Sequence, residues 1–234
     1  MNNAHLAKSS GPSAPDVIRS IYNEKAAVYD EKRLRTGYQL RFDLTERRIL
    51  RRYLSGFKQV LEVGGGTGRL TGELLACSKQ VTVVDLSERM LEKLAEKFPN
   101  KPSLKLHILN AYELASLREY GEYDALLSMR MLPHIEDIPG VLKIFRNAVR
   151  PGGTIMVDFW NRNSYVYWKK KGSAVYNNYV NYGEAKEMIT RAGLKLITFY
   201  GAGFGSPLDI NLEFLGRTPM KLFAYSLVAF CERP

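Results

Sequence analysis

The chain has 234 residues, of which 34 are lysine or arginine and 24 are aspartate or glutamate, so its formal net charge is +10. This length suits one domain that buries a core of its own without help from metals or disulfides. The two cysteines are too few for a disulfide framework, and with the three histidines they show no metal-binding spacing. We therefore expect no metal site.

Residues 1–15 are small, polar and proline-bearing, and they predict a disordered tail. Residues 16–58 predict a helical cover ahead of the sheet. One helix is expected from Asp16 to about Asp30. A second is expected from Leu40 to Leu54, with Leu44, Leu50, Tyr53 and Leu54 inward and the arginines outward.

The late apolar run from Leu222 to Phe230 is too short to span a bilayer and predicts a buried strand. No apolar run of signal-peptide type stands near the start. With few cysteines, the expected location is a reducing cytoplasm.

A glycine-rich stretch, VLEVGGGTGRL at residues 60–70, joins an apolar strand to an amphipathic helix. Glycine is needed where the backbone takes positive φ or where a ligand touches the main chain. The G-x-G-x-x-G spacing of dinucleotide-binding folds fails, because Arg69 stands at the third glycine position. The form present is E-x-G-x-G-x-G, which begins at Glu62.

From residue 59 onward, strands and helices alternate, as in an α/β fold. A β-branched strand, residues 80–85, ends at Asp85, where a carboxylate can accept hydrogen bonds from both hydroxyls of a ribose. Further strands are expected at residues 104–109, 123–128 and 154–159. An amphipathic helix over residues 138–149 precedes the last of these.

Four segments occur in the order seen in one known family. After the glycine loop come VVDLSERML, YDALLSMRMLPHI and LKIFRNAVRPGGTIMVDF, and together they cover about residues 60–159. This pattern resembles the class I S-adenosylmethionine-dependent methyltransferases, and Tyr22 and Tyr29 resemble the cover helix of their small-molecule, type 11-like branch. The resemblance implies an α/β, Rossmann-like, doubly wound sheet of seven strands with an N-terminal helical cover and an antiparallel last strand. Residues 59–234 would form the methyltransferase domain.

The resemblance also implies S-adenosylmethionine as the cofactor and a set of residues that bind it. These are Tyr22, Tyr29, Glu62, Gly64, Gly65, Gly66, Asp85, Leu86, Met90, Asn110, Ala111, Met129 and Arg130. Two positions depart from the family pattern. Asn110 stands where an acid is common, although its carbonyl oxygen can still bind an adenine amino group. Pro133 stands where a histidine often precedes His134, so a paired-histidine role is unsupported.

His134 is the candidate catalytic residue. It follows the fourth strand near the rim of the expected site, and histidine can accept a proton near neutral pH. A structural role, in which the histidine bonds a backbone carbonyl and fixes the loop, stays open beside it. The aromatic and asparagine-rich insertion at residues 160–182 is expected to be either a substrate lid or a structural cover.

The expected function is methyl transfer to an O, N or C atom of a small molecule. An anionic molecule is one candidate for this acceptor. No Asn/Asp-Pro-Pro-aromatic motif follows Ser128, no cysteine there could attack a pyrimidine, and no paired acids there could hold Mg²⁺. Two alternatives remain. A tRNA or rRNA methyltransferase is supported by the charge alone, and a non-catalytic S-adenosylmethionine-binding protein would bind the cofactor without turnover.

Overall fold

A computed structural model of the chain describes residues 14–169, 178–205 and 212–234. The expected disordered tail lies outside the described residues except for its last two positions. The helices and strands, numbered in chain order, have the following bounds. The helices are α1 (Ala14–Lys25), α2 (Tyr29–Arg33), α3 (Gly37–Leu54), α4 (Thr71–Cys77), α5 (Glu88–Lys97), α6 (Ile138–Ala148), α7 (Tyr165–Lys169) and α8 (Tyr182–Arg191). The strands are β1 (Gln59–Val63), β2 (Gln80–Asp85), β3 (Leu104–Ile108), β4 (Tyr123–Ser128), β5 (Val149–Asn161), β6 (Tyr179–Val180), β7 (Lys195–Ala202) and β8 (Ser226–Glu232).

The strands form one mixed sheet. Its order is β3-β2-β1-β4-β5-β8-β7, and the two-residue β6 pairs with β5 outside this path. Strands β1 to β5 run parallel to their neighbours in this order, whereas β8 is antiparallel to both β5 and β7. The predicted seven-stranded, doubly wound sheet with an antiparallel last strand is therefore confirmed, with β6 as a short addition.

Two apolar cores cover the two faces of the sheet. One face packs against α6 and α8, with Phe145 and Ile189 in the interface. The other face packs against α3, α4 and α5, through side chains such as Leu50, Leu74 and Leu94. Helices on both faces leave the carboxyl ends of the parallel strands as the edge where a ligand can bind.

The N-terminal segment differs from the prediction of one continuous first helix. Helix α1 ends at Lys25, a 3-10 turn covers Ala26–Val28, and α2 then begins at Tyr29. Tyr22 and Tyr29 therefore belong to different helices, yet their ring centroids are 6.2 Å apart. The bend, rather than helical spacing, brings the two tyrosines together.

Helix α3 differs from the prediction in its buried face. Leu44 is 49% exposed, so the expectation that it points inward was wrong, while Asp43 and Glu46 are buried. The reason is tertiary: both acids bond Arg69 from the glycine loop. A pattern of apolar residues could not reveal this, since paired charges can replace apolar packing.

The predicted strand Leu222–Phe230 begins later than expected. Residues Pro219–Phe223 form a 3-10 turn capped by the Thr218 side chain, and β8 begins at Ser226. None of the helices in the described parts of the chain is long and apolar enough to cross a membrane.

Candidate active site

The glycine loop leaves β1 at the middle of the sheet. Its amide at Gly64 donates to the carbonyl of Val84 on the neighbouring strand at 2.7 Å. A Cβ on Gly65 would lie 2.2 Å from Val83 Cγ1, so a side chain there would collide with β2. Gly66 has a φ of +56°, and a Cβ built on it meets nothing within 4 Å. The loop is thus tight against the sheet on one side and open on the other.

Asp85 ties this loop to the end of β2. Its Oδ2 accepts a hydrogen bond from the Gly66 amide at 2.8 Å, and its Oδ1 accepts one from the Ser87 amide at 2.9 Å. Burial raises the pKa of the Asp85 carboxyl, while hydrogen bonds from the backbone amides of Ser87, Gly66 and Leu86 oppose that shift. A carboxylate has about four acceptor positions, so Asp85 retains capacity to accept a hydrogen bond from a ligand hydroxyl.

A cavity of about 430 Å³ opens beside the loop, and all the predicted site residues line its wall. Those residues are Tyr22, Tyr29, Glu62, Gly64, Gly65, Gly66, Asp85, Leu86, Met90, Asn110, Ala111, Met129, Arg130 and His134. The volume lies within the usual range for cofactor sites. The wall also contains residues that the sequence did not single out, such as Ile18, Thr67 and Tyr112.

Glu62 forms the floor beneath the glycine loop. It is 4% exposed, and its Oε2 accepts a hydrogen bond from the Thr71 hydroxyl at 2.6 Å. Burial raises the pKa of the Glu62 carboxyl to about 7. A carboxyl that titrates near neutrality on the cavity wall can respond to a charged ligand.

Asn110 and two methionines shape the far wall. The Asn110 side-chain oxygen accepts from the Tyr112 amide at 3.1 Å and so starts the 3-10 turn Ala111–Ser116. The predicted contact between this oxygen and an adenine amino group stays a prediction, because the oxygen already caps the turn. Met90 and Met129 are nearly buried, and they give this wall an apolar surface.

Helices α1 and α2 close the cavity from above through polar contacts. Tyr22 Oη and His134 Nε2 are 2.8 Å apart. Asn23 binds the helix start at Ser87 and Glu88, with its Oδ1 accepting from the Ser87 hydroxyl at 2.5 Å. Asp30 accepts from the Thr67 hydroxyl at 2.6 Å. The sequence analysis did not single out Asn23, Asp30 and Thr67 as site residues, because isolated polar residues on short helices or in a loop form no pattern.

Arg130 lines the wall in an unexpected way. Its φ is +63°, its amide donates to Asp158 Oδ1 at 2.5 Å, and its guanidinium donates to Glu46 through Nε at 3.0 Å. Burial, followed by the charge of nearby Arg69, lowers the pKa of Arg130 to about 10. The predicted contact with a cofactor stays a prediction, because the head group is engaged by Glu46.

The residues present fit S-adenosylmethionine. The open space above Gly66 would be filled by any Cβ, Asp85 offers acceptors for ribose hydroxyls, and the methionine-lined wall suits a flat base. Glycine at these positions leaves the main chain accessible to the ligand.

Comparisons with known proteins agree with this geometry. Residues 61–155 match a family model described as a methyltransferase domain. The chain is 28% identical over 164 residues to the ubiquinone biosynthesis O-methyltransferase of Chromobacterium violaceum, covering 63% of this chain and 68% of that relative. The protein of the same name from Aromatoleum aromaticum is 28% identical over 176 residues, covering 66% and 75%.

The fold is shared with a solved methyltransferase. The N-methyltransferase NodS from Bradyrhizobium japonicum, in complex with S-adenosyl-L-homocysteine, has a TM-score of 0.67 at 16% identity, covering 92% of this chain and 98% of that one. Residues 61–155 therefore form a methyltransferase domain, and the O-methyltransferase relatives and the shared fold agree with S-adenosylmethionine as its cofactor.

Proposed function

We propose that the enzyme methylates an oxygen atom of a small-molecule acceptor, with His134 as the base. The observation that carries this proposal is the 2.8 Å contact between His134 Nε2 and Tyr22 Oη at the cavity wall. The curated relatives, which are named as O-methyltransferases of ubiquinone biosynthesis, support oxygen as the acceptor atom.

Tyr22 supports the assignment of His134 as a proton acceptor. Burial, followed by the neighbouring Tyr29, raises the pKa of the Tyr22 hydroxyl, so the phenol stays protonated and can donate to the imidazole. A neutral imidazole with Nε2 as acceptor is the form a base requires. An acceptor hydroxyl that takes the place of the Tyr22 hydroxyl would then give its proton to Nε2.

The remaining catalytic task is orientation. Bound S-adenosylmethionine supplies a methyl group that its sulfonium charge already activates. The chain's own residues hold the acceptor in line and exclude water, an effect that can supply roughly 7 to 11 kcal/mol of barrier reduction. Trp160, whose ring centroid is 5.7 Å from that of His134, backs the imidazole from the β5 side.

The domain assignment is part of the same proposal. Residues 16–58 act as the cover, residues 59–234 form the catalytic domain, and the insertion at 160–182 serves the acceptor side. Within that insertion, the Asn178 amide donates to the Pro133 carbonyl at 2.8 Å, next to His134. Residues 170–177 of the insertion lie outside the described residues. The cytoplasmic location stays a prediction.

The test is methyl transfer from radiolabelled S-adenosylmethionine to a panel of small hydroxylated molecules, which includes anionic ones. With the best acceptor, His134→Ala should lower turnover by about 10² to 10⁴ while cofactor affinity stays unchanged. Tyr22→Phe is the variant matched to His134→Ala, because it removes the hydroxyl that contacts His134 Nε2 and keeps the aromatic ring.

Two outcomes would contradict the base assignment. Full turnover in a folded His134→Ala protein would leave orientation as the whole mechanism. A joint loss of stability, cofactor affinity and turnover would instead assign His134 a structural role. Transfer to amines alone would overturn the oxygen acceptor.

A further inference from the structure

A row of alternating charges runs from the cavity wall to the surface. Its members are Arg130, Glu46, Arg69, Asp43, Arg47, Glu73 and Arg51, each bonded to the next. The inner contacts are short: Glu46 Oε2 is 2.5 Å from Arg130 Nη2 and 2.7 Å from Arg69 Nη1. A single carboxylate oxygen thus accepts from two guanidinium groups.

The two ends of the row differ in exposure. The Glu46 side chain is fully buried, and the side chain of Arg130 is 8% exposed, whereas that of Arg51 is 64% exposed. Charges at the buried end interact strongly with their surroundings, because water screens them little. Charges at the exposed end are screened.

The buried end presents an electrostatic problem. Arg69 and Arg130 both line the cavity, and the cofactor that enters it carries a positively charged sulfonium. Two unpaired guanidinium groups on the wall would repel this charge. Glu46, which does not line the cavity, bonds both of them from behind, and Asp43 also bonds Arg69, so two carboxylates offset the two guanidinium charges.

The reaction itself changes the ligand's charge. Methyl transfer converts the sulfonium of S-adenosylmethionine into the neutral thioether of S-adenosylhomocysteine, so the product carries one positive charge less. Any charge near the cavity that is not balanced therefore shifts the affinity for cofactor relative to the affinity for product.

We propose that Glu46, together with Asp43, sets the preference of the cavity for the cationic cofactor over the neutral product by offsetting the charge of Arg69 and Arg130. Glu46 acts through the two arginines and is a positioning residue. The inference rests on the cofactor assignment and is independent of the acceptor and of the role of His134.

The first test compares the same change, glutamate to glutamine, at Glu46 near the buried end of the row and at Glu73 near its exposed end. Calorimetry measures the affinity of each variant for S-adenosylmethionine and for S-adenosylhomocysteine. Glu46→Gln should lower the ratio of cofactor affinity to product affinity by about tenfold, the effect of one unit charge roughly 12 Å away at an effective dielectric constant of about 20. Glu73→Gln, which removes the same charge near the exposed end, should leave that ratio unchanged.

The second test removes a positive charge instead of a negative one, so the expected change in the affinity ratio has the opposite sign. Arg130→Gly removes one positive charge from the wall, leaves Glu46 paired with Arg69, and suits the φ of +63° at this position. It should raise the ratio of cofactor affinity to product affinity by about tenfold. This variant keeps the proposal testable if Glu46→Gln does not fold, since an uncompensated buried charge is strongly destabilising.

The outcomes distinguish failure of the Glu46 proposal from failure of the cofactor assignment. Equal losses of affinity for both ligands, in Glu46→Gln or in Arg130→Gly, would overturn it, because a merely structural role weakens both alike. A wild-type protein that binds neither ligand would instead overturn the cofactor assignment. Failure of His134→Ala to slow turnover would leave this inference standing.

Discussion

Gly66 shows at the scale of one residue how the loop leaves room for a ligand. Gly66 and Gly152 both have positive φ, +56° and +74°, and a Cβ on either meets nothing within 4 Å. Alanine at either position should cost about 1 to 2 kcal/mol of stability, because its Cβ disfavours this backbone conformation. Only Gly66→Ala should also weaken S-adenosylmethionine binding, by about tenfold or more, since only Gly66 lines the cavity.

Thermal unfolding and calorimetry on the two variants separate these effects. Gly152→Ala is the control for backbone strain. Similar cofactor affinities in the two variants would show that the cofactor does not occupy the open space beside Gly66.

At the same scale, Glu62 should make the affinity for S-adenosylmethionine depend on pH. Burial raises the pKa of Glu62 to about 7. A cationic ligand favours the ionised carboxylate, lowers this pKa in the complex and so releases a proton on binding. Affinity for S-adenosylmethionine should therefore rise several-fold as pH increases from about 5.5 to 7, and then level off.

Calorimetry in buffers of different ionisation enthalpy measures the released proton directly. Glu62→Gln is the control and should flatten the pH dependence while it keeps a hydrogen bond from Thr71. A wild-type affinity that falls with rising pH over this range would contradict the prediction.

At the scale of elements, α1 and α2 are held over the cavity by side-chain hydrogen bonds more than by a shared core. Of the buried residues in the two sheet cores, none comes from α1 or α2 within the described part of the chain. Deletion of residues 1–35 should therefore leave a folded protein with weaker cofactor binding and lower turnover. The deletion removes Tyr22 and its contact with His134.

Circular dichroism establishes folding of the truncated protein, and calorimetry measures its cofactor affinity. Asn23→Ala, which removes the contacts to Ser87 and Glu88, should reproduce a smaller part of the same loss. A folded truncated protein with undiminished affinity and turnover would show that the cover is dispensable.

At the scale of the whole molecule, the net charge of +10 raises the question of RNA. Two of the basic residues are largely buried inside the protein, where Arg69 and Arg130 both bond Glu46, so little of their side chains is on the surface. We expect RNA binding only at low salt, with a steep salt dependence and without base selectivity. Filter binding and transfer of labelled methyl to total tRNA measure both properties. Methyl incorporation into RNA above that of a His134→Ala control would favour the RNA alternative.

The parts of the site that depend on neighbouring residues in the chain could be predicted from the sequence. The strand, glycine loop and helix at residues 60–70, and the acid at the end of β2, are readable because each depends on neighbours in the chain. Parallel strands then bring these segments to one edge of the sheet. For this reason the residues from Glu62 to Arg130 that were predicted from motifs all line one cavity.

Tertiary structure alone decided what depends on distant partners. Asp43 and Glu46 turn inward because Arg69, 23 to 26 residues away, and Arg130, 84 residues from Glu46, meet them there. Tyr22 reaches His134 across 112 residues. Periodicity and glycine spacing in the sequence indicated the alternating strands and helices and the glycine loop, because they express local backbone needs, and the family resemblance implied the cofactor and the residues of the cavity wall. The charge row and the closed cover arise from side chains whose pairing costs or gains free energy only once the chain is folded.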